Sequence, residues 1–102
     1  MGRGGKGWTL PRFINLVEQR WRVERVKQSD SEGECHYKRR TIFIDPDVSE
    51  EGLGEVFMHE ALHALIWLSG LREVLGDTEE RVVQSLAPLI WAMLRRNKMR
   101  FD

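Results

Sequence analysis

The most restrictive feature of this sequence is a segment whose apolar residues lie on every side of a predicted helix. The helix is expected over Leu53–Leu68, with Ser49 as its N-terminal cap and Gly70 as its end. Such a helix has no polar face that solvent could cover, so it must be buried on most sides. Its apolar residues include Val56, Phe57, Met58, Ala61, Leu62, Ala64, Leu65, Ile66, Trp67 and Leu68.

Length and composition limit what can surround this helix. The chain has 102 residues, 41% of them hydrophobic and 31% charged, which is typical of a single globular domain with one core. We predict that domain over residues 11–97, with a flexible glycine-rich basic tail at 1–10 and a basic tail at 98–102. No apolar run is long enough to cross a membrane, so the protein is expected to be soluble and to have no membrane partner.

Residues 13–44 have the composition of β-strands. β-branched and aromatic residues predict one strand over Trp21–Lys27 and another over Thr41–Ile44, which a following Asp-Pro pair ends. Phe13–Val17 fits either a short strand or a helical turn, and the polar cluster at 29–34 predicts a turn. The expected arrangement is a meander of two or three antiparallel strands.

A second long helix is expected in the C-terminal part of the chain. Val82, Val83, Leu86, Ile90, Met93 and Leu94 recur there at helical spacing. Asp77 or Thr78 is the expected cap, and Pro88 is expected to kink the helix or to set off its first part. Together these elements predict an α+β fold, in which a small antiparallel or mixed sheet of about three strands packs on two main helices.

The first helix contains the sequence His59-Glu60-Ala61-Leu62-His63. Residues four apart lie on the same face of a helix, so the two imidazoles can hold one metal ion. A hydrolytic zinc site takes three protein ligands and leaves the fourth position to water, from which a neighbouring glutamate can take a proton. We therefore predict a Zn²⁺ cofactor, with His59 and His63 as ligands and Glu60 as the catalytic residue.

The third ligand has to come from another segment. On a helical projection of the second helix, the apolar face centres close to Glu79, and Glu80 falls near its edge. A carboxylate aimed at apolar packing is costly unless a cation meets it, so Glu79 is predicted as the third ligand and Glu80 is the alternative. The other interpretation is that both glutamates are solvated acids that favour the start of the helix dipole.

Several other residues are weaker candidates. His36 and Tyr37 flank a strand and could supply an oxyanion donor or a substrate contact, although half-exposed strand positions usually have no such role. Cys35 is the only cysteine, which excludes an internal disulfide and fits a reducing compartment; we interpret it as a packed thiol. Sixteen basic residues balance sixteen acidic ones, so nucleic acid is not an expected partner.

The order of these segments resembles a known family. "TIFIDP", "HEALHAL" and "EERVVQSLAPLIWAMLRRN" follow one another as in the small zincin-like metallopeptidases of phages and prophages, and the resemblance covers residues 21–97. That group is similar to the minigluzincins and more distantly to ImmA/IrrE-type and SprT-like peptidases. The resemblance implies zinc on His59, His63 and one glutamate of the next helix, with Glu60 as the general base. It also implies a mixed sheet whose last strand, Thr41–Ile44, borders the cleft and aligns an extended peptide.

The sequence therefore predicts a zinc-dependent metallopeptidase that hydrolyses peptide bonds with metal-activated water and a glutamate general base. Its expected partner is a peptide or protein substrate, and its expected location is the cytoplasm of a bacterial host or a phage-infected cell. The alternative is a zinc-stabilised module with little or no turnover that binds a protein or a nucleic acid. A structural protein without metal is the third hypothesis, and the sequence leaves the oligomeric state open.

Overall fold

The fold consists of a four-stranded sheet and two main helices, which confirms the predicted α+β class. A computed structural model of the protein describes residues 9–99, so most of the two predicted tails, at 1–10 and 98–102, lies outside the described residues. The strands are β1 (Phe13–Leu16), β2 (Gln19–Glu24), β3 (Gly33–His36) and β4 (Thr41–Ile44), and the helices are α1 (Glu50–Ser69), α2 (Arg72–Leu75) and α3 (Glu79–Arg96). Within that range, no helix is both long enough and apolar enough to cross a bilayer.

The sheet is mixed, with the strand order β1-β2-β4-β3. β1 pairs antiparallel with β2, and β3 pairs antiparallel with β4, but β2 and β4 run parallel, with Val23 opposite Ile42. The predicted meander of two or three antiparallel strands is therefore wrong in the number of strands and in the central pairing. The reason is that the chain leaves β2 for the edge of the sheet, forms β3 there, and returns through a tight turn at Tyr37–Arg40 to place β4 between them.

The first strand resolves an ambiguity of the sequence. Residues 13–17 fitted a short strand or a helical turn, and the structure forms the strand β1 over Phe13–Leu16. Val17 and Glu18 then make a two-residue turn in which both have positive φ values, 49° and 64°. Asparagine and glycine usually occupy such turns, so the sequence carried no signal for this hairpin.

Helix α1 forms the middle layer of the molecule. On one side, apolar residues of the sheet bury against α1, and on the other side Met58 packs with Ala87 and Trp91 of α3. The cluster on the sheet side contains Ile14, Leu16, Trp21, Val23, Ile42, Ile44, Leu53, Phe57, Ala61 and Ala64. The prediction that this helix is buried on most sides is confirmed, because apolar layers cover two opposite faces of it.

The ends of α1 follow the sequence signals. The hydroxyl oxygen of Ser49 accepts a hydrogen bond from the backbone N–H of Gly52 at 3.3 Å, so the helix begins at Glu50, just before the predicted start. Gly70 ends the helix with a φ of 81°, in the left-handed region that favours glycine.

The start of α3 differs from the prediction. Thr78, one of the two predicted residues, occupies the N-cap position, but its side chain makes no capping hydrogen bond; the hydroxyl instead donates to the carbonyl of Leu75 at 2.6 Å. A short 3-10 turn, Gly76–Thr78, leads directly into α3. The helix then continues through Pro88 to Arg96, so the proline does not divide it.

Helices α1 and α3 pack tightly at Gly54. A Cβ atom built on Gly54 would overlap the indole ring of Trp91, so only glycine fits at this point without a shift of the helices. Contacts further along pair Met58 with Ala87 and His63 with Glu79, which shows that the two helices run antiparallel. The crossing at Gly54 therefore helps to set the distance between the middle of α1 and the first turn of α3.

Gly54→Ala is expected to lower the free energy of unfolding by about 1–3 kcal/mol, because the added methyl group forces α1 away from Trp91. Urea unfolding followed by circular dichroism measures the change. The matched control is Gly52→Ala, where the nearest atom to the new Cβ, the Ser49 hydroxyl oxygen, is 3.7 Å away. That variant should keep or slightly raise the stability, since alanine favours a helix over glycine. Equal stability of the two variants would contradict this account of the helix crossing.

Candidate metal centre

The two histidines of the motif lie side by side on α1. Their ring centroids are 5.0 Å apart, and the ring planes are inclined at 60°. Both side chains are half-buried, on the part of α1 that faces the first turn of α3. Burial is the main cause that lowers the pKa of His59, so this ring is neutral, and able to bind a metal, over a wider pH range.

Glu80 supplies a carboxylate to both rings. Its Oε2 atom lies 3.1 Å from Nε2 of His59, and its Oε1 atom lies 2.9 Å from Nε2 of His63. One ligand atom from each of these three residues can be chosen so that all lie within 4.8 Å of one another. The first turn of α3 thus adds an oxygen donor to the two imidazoles of α1.

Glu79 approaches His63 from the other side of the ring. Nδ1 of His63 donates a hydrogen bond to Oε2 of Glu79 at 2.6 Å. The Glu79 side chain is buried, as the helical projection indicated, with only 8% of the residue exposed. The partner of the Glu79 carboxylate in the interior, however, is Nδ1 of His63. This nitrogen lies on the opposite side of the ring from Nε2, so it faces away from the space between the Nε2 atoms of His59 and His63 in which a metal would be held. The geometry therefore favours the alternative, Glu80, as third ligand over our first choice, Glu79.

The chemical types of these donors, two imidazole nitrogens and a carboxylate oxygen, suit a zinc ion. In a tetrahedral zinc site with metal–ligand distances of about 2.0–2.1 Å, neighbouring ligand atoms lie roughly 3.3 Å apart. Two contacts come close to that value, 3.1 Å from Oε2 of Glu80 to His59 and 2.9 Å from Oε1 of Glu80 to His63, but they use different oxygens of the carboxylate. With one ligand atom from each residue the group spans up to 4.8 Å, so the three side chains would have to draw together around the ion. With its proton on Nδ1, shared with Glu79, His63 directs the lone pair of Nε2 toward Oε1 of Glu80, 2.9 Å away, where a metal would lie between the two atoms.

Known proteins do not identify the family of this chain. No protein-family model matches it, and neither a curated protein nor a solved structure does. The likeness to zincin-like metallopeptidases therefore stays a prediction from the motif. What the site does has to be inferred from its own geometry.

Glu60 is buried next to the three candidate ligands. Only 8% of the residue is exposed, and no other described residue donates a hydrogen bond to its carboxylate. Burial raises the pKa of Glu60 to about 7. The charge of His63 offsets part of this rise, and the charges of Glu80 and Glu34 add to it. Strand β3 passes close by, since a Cβ atom on Gly33 would lie 3.1 Å from Oε2 of Glu60. The carboxylate is therefore confined, largely desolvated and able to exchange a proton near neutral pH.

A cleft of about 630 Å³ gives access to these groups. This volume lies in the range of small-molecule and peptide sites. The cleft lies between the start of β3, α1 and α3, and Glu60 and all three candidate ligands line it. Its other lining residues are Ser31, Glu32, Gly33, Glu55, Val56, Gln84, Ala87 and Pro88.

The strand that borders the cleft is β3 and not β4. Strand β4 (Thr41–Ile44) is paired on both sides, and all of its residues are buried, so it has no free edge for a peptide. The expectation that Thr41–Ile44 borders the cleft is therefore wrong. The parallel pairing of β2 with β4 is the reason, because it leaves β3 (Gly33–His36) at the edge.

The two weaker candidates from the sequence, His36 and Tyr37, have different surroundings. His36 lies on the face of the sheet away from α1, where Nε2 is 2.8 Å from Oε1 of Glu34, and it does not join the metal-binding group. Tyr37 stacks on Trp67 with ring centroids 5.1 Å apart, and burial raises its pKa to about 12. Tyr37 also lines a smaller cleft, of about 360 Å³, together with His63.

Sequence reasoning missed Arg72. Its guanidinium lies over the ring of Tyr37, 4.8 Å from the centroid, and its Nε atom is 3.7 Å from Oε1 of Glu79. Arg72 therefore continues a series of contacts that begins at His63 and passes through Glu79. The only signal in the sequence is that Arg72 is the single lysine or arginine between residues 41 and 80.

The thiol of Cys35 is expected to react slowly in the folded protein. Burial, reinforced by the charge of Glu60, raises the pKa of Cys35 to about 12, so very little thiolate exists at pH 8. Alkylation by iodoacetamide at pH 8 should therefore be at least about 100-fold slower than in concentrated urea, as mass spectrometry of timed samples would show.

The same shift predicts how stability depends on pH. The pKa of Cys35 is raised above its ordinary value of 9.0, so the stabilisation is fully present below about pH 9 and is lost as the pH rises toward 12. Equal alkylation rates in the folded and the unfolded chain would contradict the interpretation of Cys35 as a packed thiol.

Proposed function

We propose that this protein is a zinc-dependent metallopeptidase. The observation that carries the proposal is the placement of His59, His63 and Glu80 around one point, beside the buried Glu60 and in an open cleft. Two imidazoles and one carboxylate form a set of three protein ligands of the kind found in hydrolytic zinc sites. The motif and the spatial arrangement thus support the same chemistry.

Each residue of the centre has a distinct role in the proposal. His59 and His63 bind zinc through Nε2, and Glu80 binds through its carboxylate. Glu79 is a positioning residue, because its hydrogen bond to Nδ1 fixes the tautomer and the orientation of His63. Arg72, 3.7 Å from Glu79, supplies a positive charge close to this buried carboxylate.

Glu60 is the proposed general base. Bound zinc would supply Lewis acidity, which polarises the peptide carbonyl and makes water a better nucleophile near neutral pH. Glu60 takes a proton from the attacking water and passes it to the nitrogen of the leaving amine. A carboxyl group with a pKa of about 7 can do both at neutral pH. The close approach of Gly33 limits the positions that the Glu60 side chain can take.

Strand β3 is the proposed site of substrate alignment. Because β3 is at the edge of the sheet, an extended peptide can pair with its backbone and lie over Glu60. In this proposal β3 aligns the substrate, which is the function that the family resemblance implied for β4. The proposed substrate is therefore an extended or unfolded segment of a protein, and the single cysteine suits the reducing cytoplasm in which we propose that the protein acts.

The wild-type protein is expected to bind about one zinc ion per chain, and His63→Ala and Glu80→Ala should abolish this binding. Glu79→Ala should keep the ion with an affinity about 10- to 100-fold lower, because it removes a residue that only positions a ligand. Glu73→Ala is the matched control, since Glu73 is exposed on the short helix α2. Competition with a chromophoric chelator measures the affinity, and elemental analysis after dialysis measures the stoichiometry.

Two results of that experiment would decide against parts of the proposal. Loss of zinc in Glu79→Ala with retention in Glu80→Ala would make Glu79 the third ligand. Wild-type protein that folds but holds no zinc after exposure to an excess of the ion would refute the metal centre. Circular dichroism of each variant shows whether loss of zinc reflects loss of the fold.

Glu60→Gln should reduce peptide hydrolysis by about 10²–10⁴-fold and leave zinc affinity unchanged, since the amide cannot accept the proton. Hydrolysis of a mixed fluorogenic peptide library by the zinc-loaded proteins measures this effect. The result also separates the peptidase from a zinc-stabilised binding module. If the protein were such a module, wild type and Glu60→Gln would have the same zinc affinity and the same low level of hydrolysis. Equal hydrolysis by wild type and Glu60→Gln would refute the role of Glu60.

A further inference from the structure

The cleft carries more negative charge than a metal ion and a general base require. Four glutamates line it (Glu32, Glu55, Glu60 and Glu80), and no lysine or arginine is among its described lining residues. A divalent cation held by Glu80 and the two histidines would balance the charge of Glu80, but it would give Glu60 no hydrogen-bond donor. Glu32 and Glu55 stay uncompensated, because neither side chain forms a hydrogen bond or an ion pair with any residue in the described part of the chain.

Glu32 and Glu55 line the same cleft as the metal group. Glu55 is four residues before His59, so on the surface of α1 their Cβ atoms are about 5–6 Å apart. Glu32 directly precedes Gly33, where an added Cβ atom would lie 2.9 Å from the side chain of Val56, the neighbour of Glu55. The backbone carbonyl of Glu32 accepts a hydrogen bond from Asp45 at 2.9 Å, which holds this end of β3 in place.

Two further features of the cleft indicate what it binds. Glu60 is a buried carboxylate, 8% exposed and without a described donor, and it points into the cleft; a group of this kind needs a polar or cationic partner from outside the chain. Val56, Ala87 and Pro88 add apolar surface to the walls. Lysine and arginine have an apolar stem and a cationic end, which match such a wall next to free carboxylates.

We propose that Glu32 and Glu55 form a subsite for a lysine or arginine side chain of the substrate. An extended peptide advances about 3.3 Å per residue, so a side chain near Glu55 belongs to a residue within about two positions of the bond above Glu60. This choice of substrate rests on the proposed peptidase function. The binding preference itself is a property of the cleft, and it can be measured without turnover.

The experiment measures peptide binding to zinc-loaded Glu60→Gln protein by fluorescence anisotropy. The probes are three labelled octapeptides of identical sequence except for one central residue, which is lysine, norleucine or glutamate. The lysine peptide should bind roughly five- to tenfold more tightly than the norleucine peptide, and the glutamate peptide should bind most weakly. Added salt should reduce the preference, because both carboxylates are exposed.

Variants made in the Glu60→Gln background locate the subsite. Glu55→Gln and Glu32→Gln should each reduce the preference for lysine, and the two together should remove it. Glu55→Lys should make the glutamate peptide the tighter ligand. Glu51→Gln is the matched control, because Glu51 is exposed one turn earlier on α1 and does not line the cleft, so the preference should persist.

The outcomes separate the subsite from the peptidase. Equal binding of the three peptides, or no binding of any, would overturn the subsite, and hydrolysis by the wild-type protein would still support the peptidase. The subsite would also be overturned if Glu51→Gln removed the preference for lysine as fully as Glu55→Gln does. The preference would then depend on the total charge of the protein and not on the position of Glu55. A lysine preference that depends on Glu55, in a protein that hydrolyses no peptide, would keep the subsite and refute the proposed peptidase.

Discussion

The burial of α1 between the sheet and α3 is the constraint on which the rest of this structure depends. Phe57 and Ala61 pack against the sheet, while Met58 packs against α3, and a helix buried on two opposite faces can expose polar groups only along the strips between those layers. The histidines of the motif occupy one such strip. Glu60 lies deeper, against β3, where burial raises its pKa to about 7. The same packing that stabilises the fold therefore also creates the unusual environment of its central carboxylate.

The antiparallel contact between α1 and α3 determines how the two glutamates of α3 are used. Consecutive residues of a helix point about 100° apart, so Glu79 and Glu80 reach opposite sides of the same imidazole. Glu79 meets Nδ1 of His63 in the interior, and Glu80 meets Nε2 of both histidines at the border of the cleft. The contact of Gly54 with Trp91 contributes to this geometry from the other end of the helix pair.

Much of the fold and part of the candidate centre could be predicted because their signals are local. The apolar pattern around Leu53–Leu68, the cap at Ser49 and the stop at Gly70 each depend on neighbouring residues, and the structure confirms them. Strand β3 could not be predicted, because Gly33–His36 is short and overlaps a polar turn cluster. Nor does any local pattern show that β2 and β4 pair in parallel, since that pairing joins segments about twenty residues apart along the chain.

The sequence by itself determined that two histidines and a glutamate share one turn of a buried helix, because a spacing of four residues and an apolar surrounding need no knowledge of the rest of the fold. Only the tertiary structure decided which carboxylate joins them and which strand borders the cleft. His63 is sixteen residues from Glu79 and seventeen from Glu80 along the chain, and both lie within hydrogen-bonding distance of its ring. Choosing between them requires the position of α3 relative to α1, which side-chain packing across the helix interface sets and no periodicity in the sequence encodes.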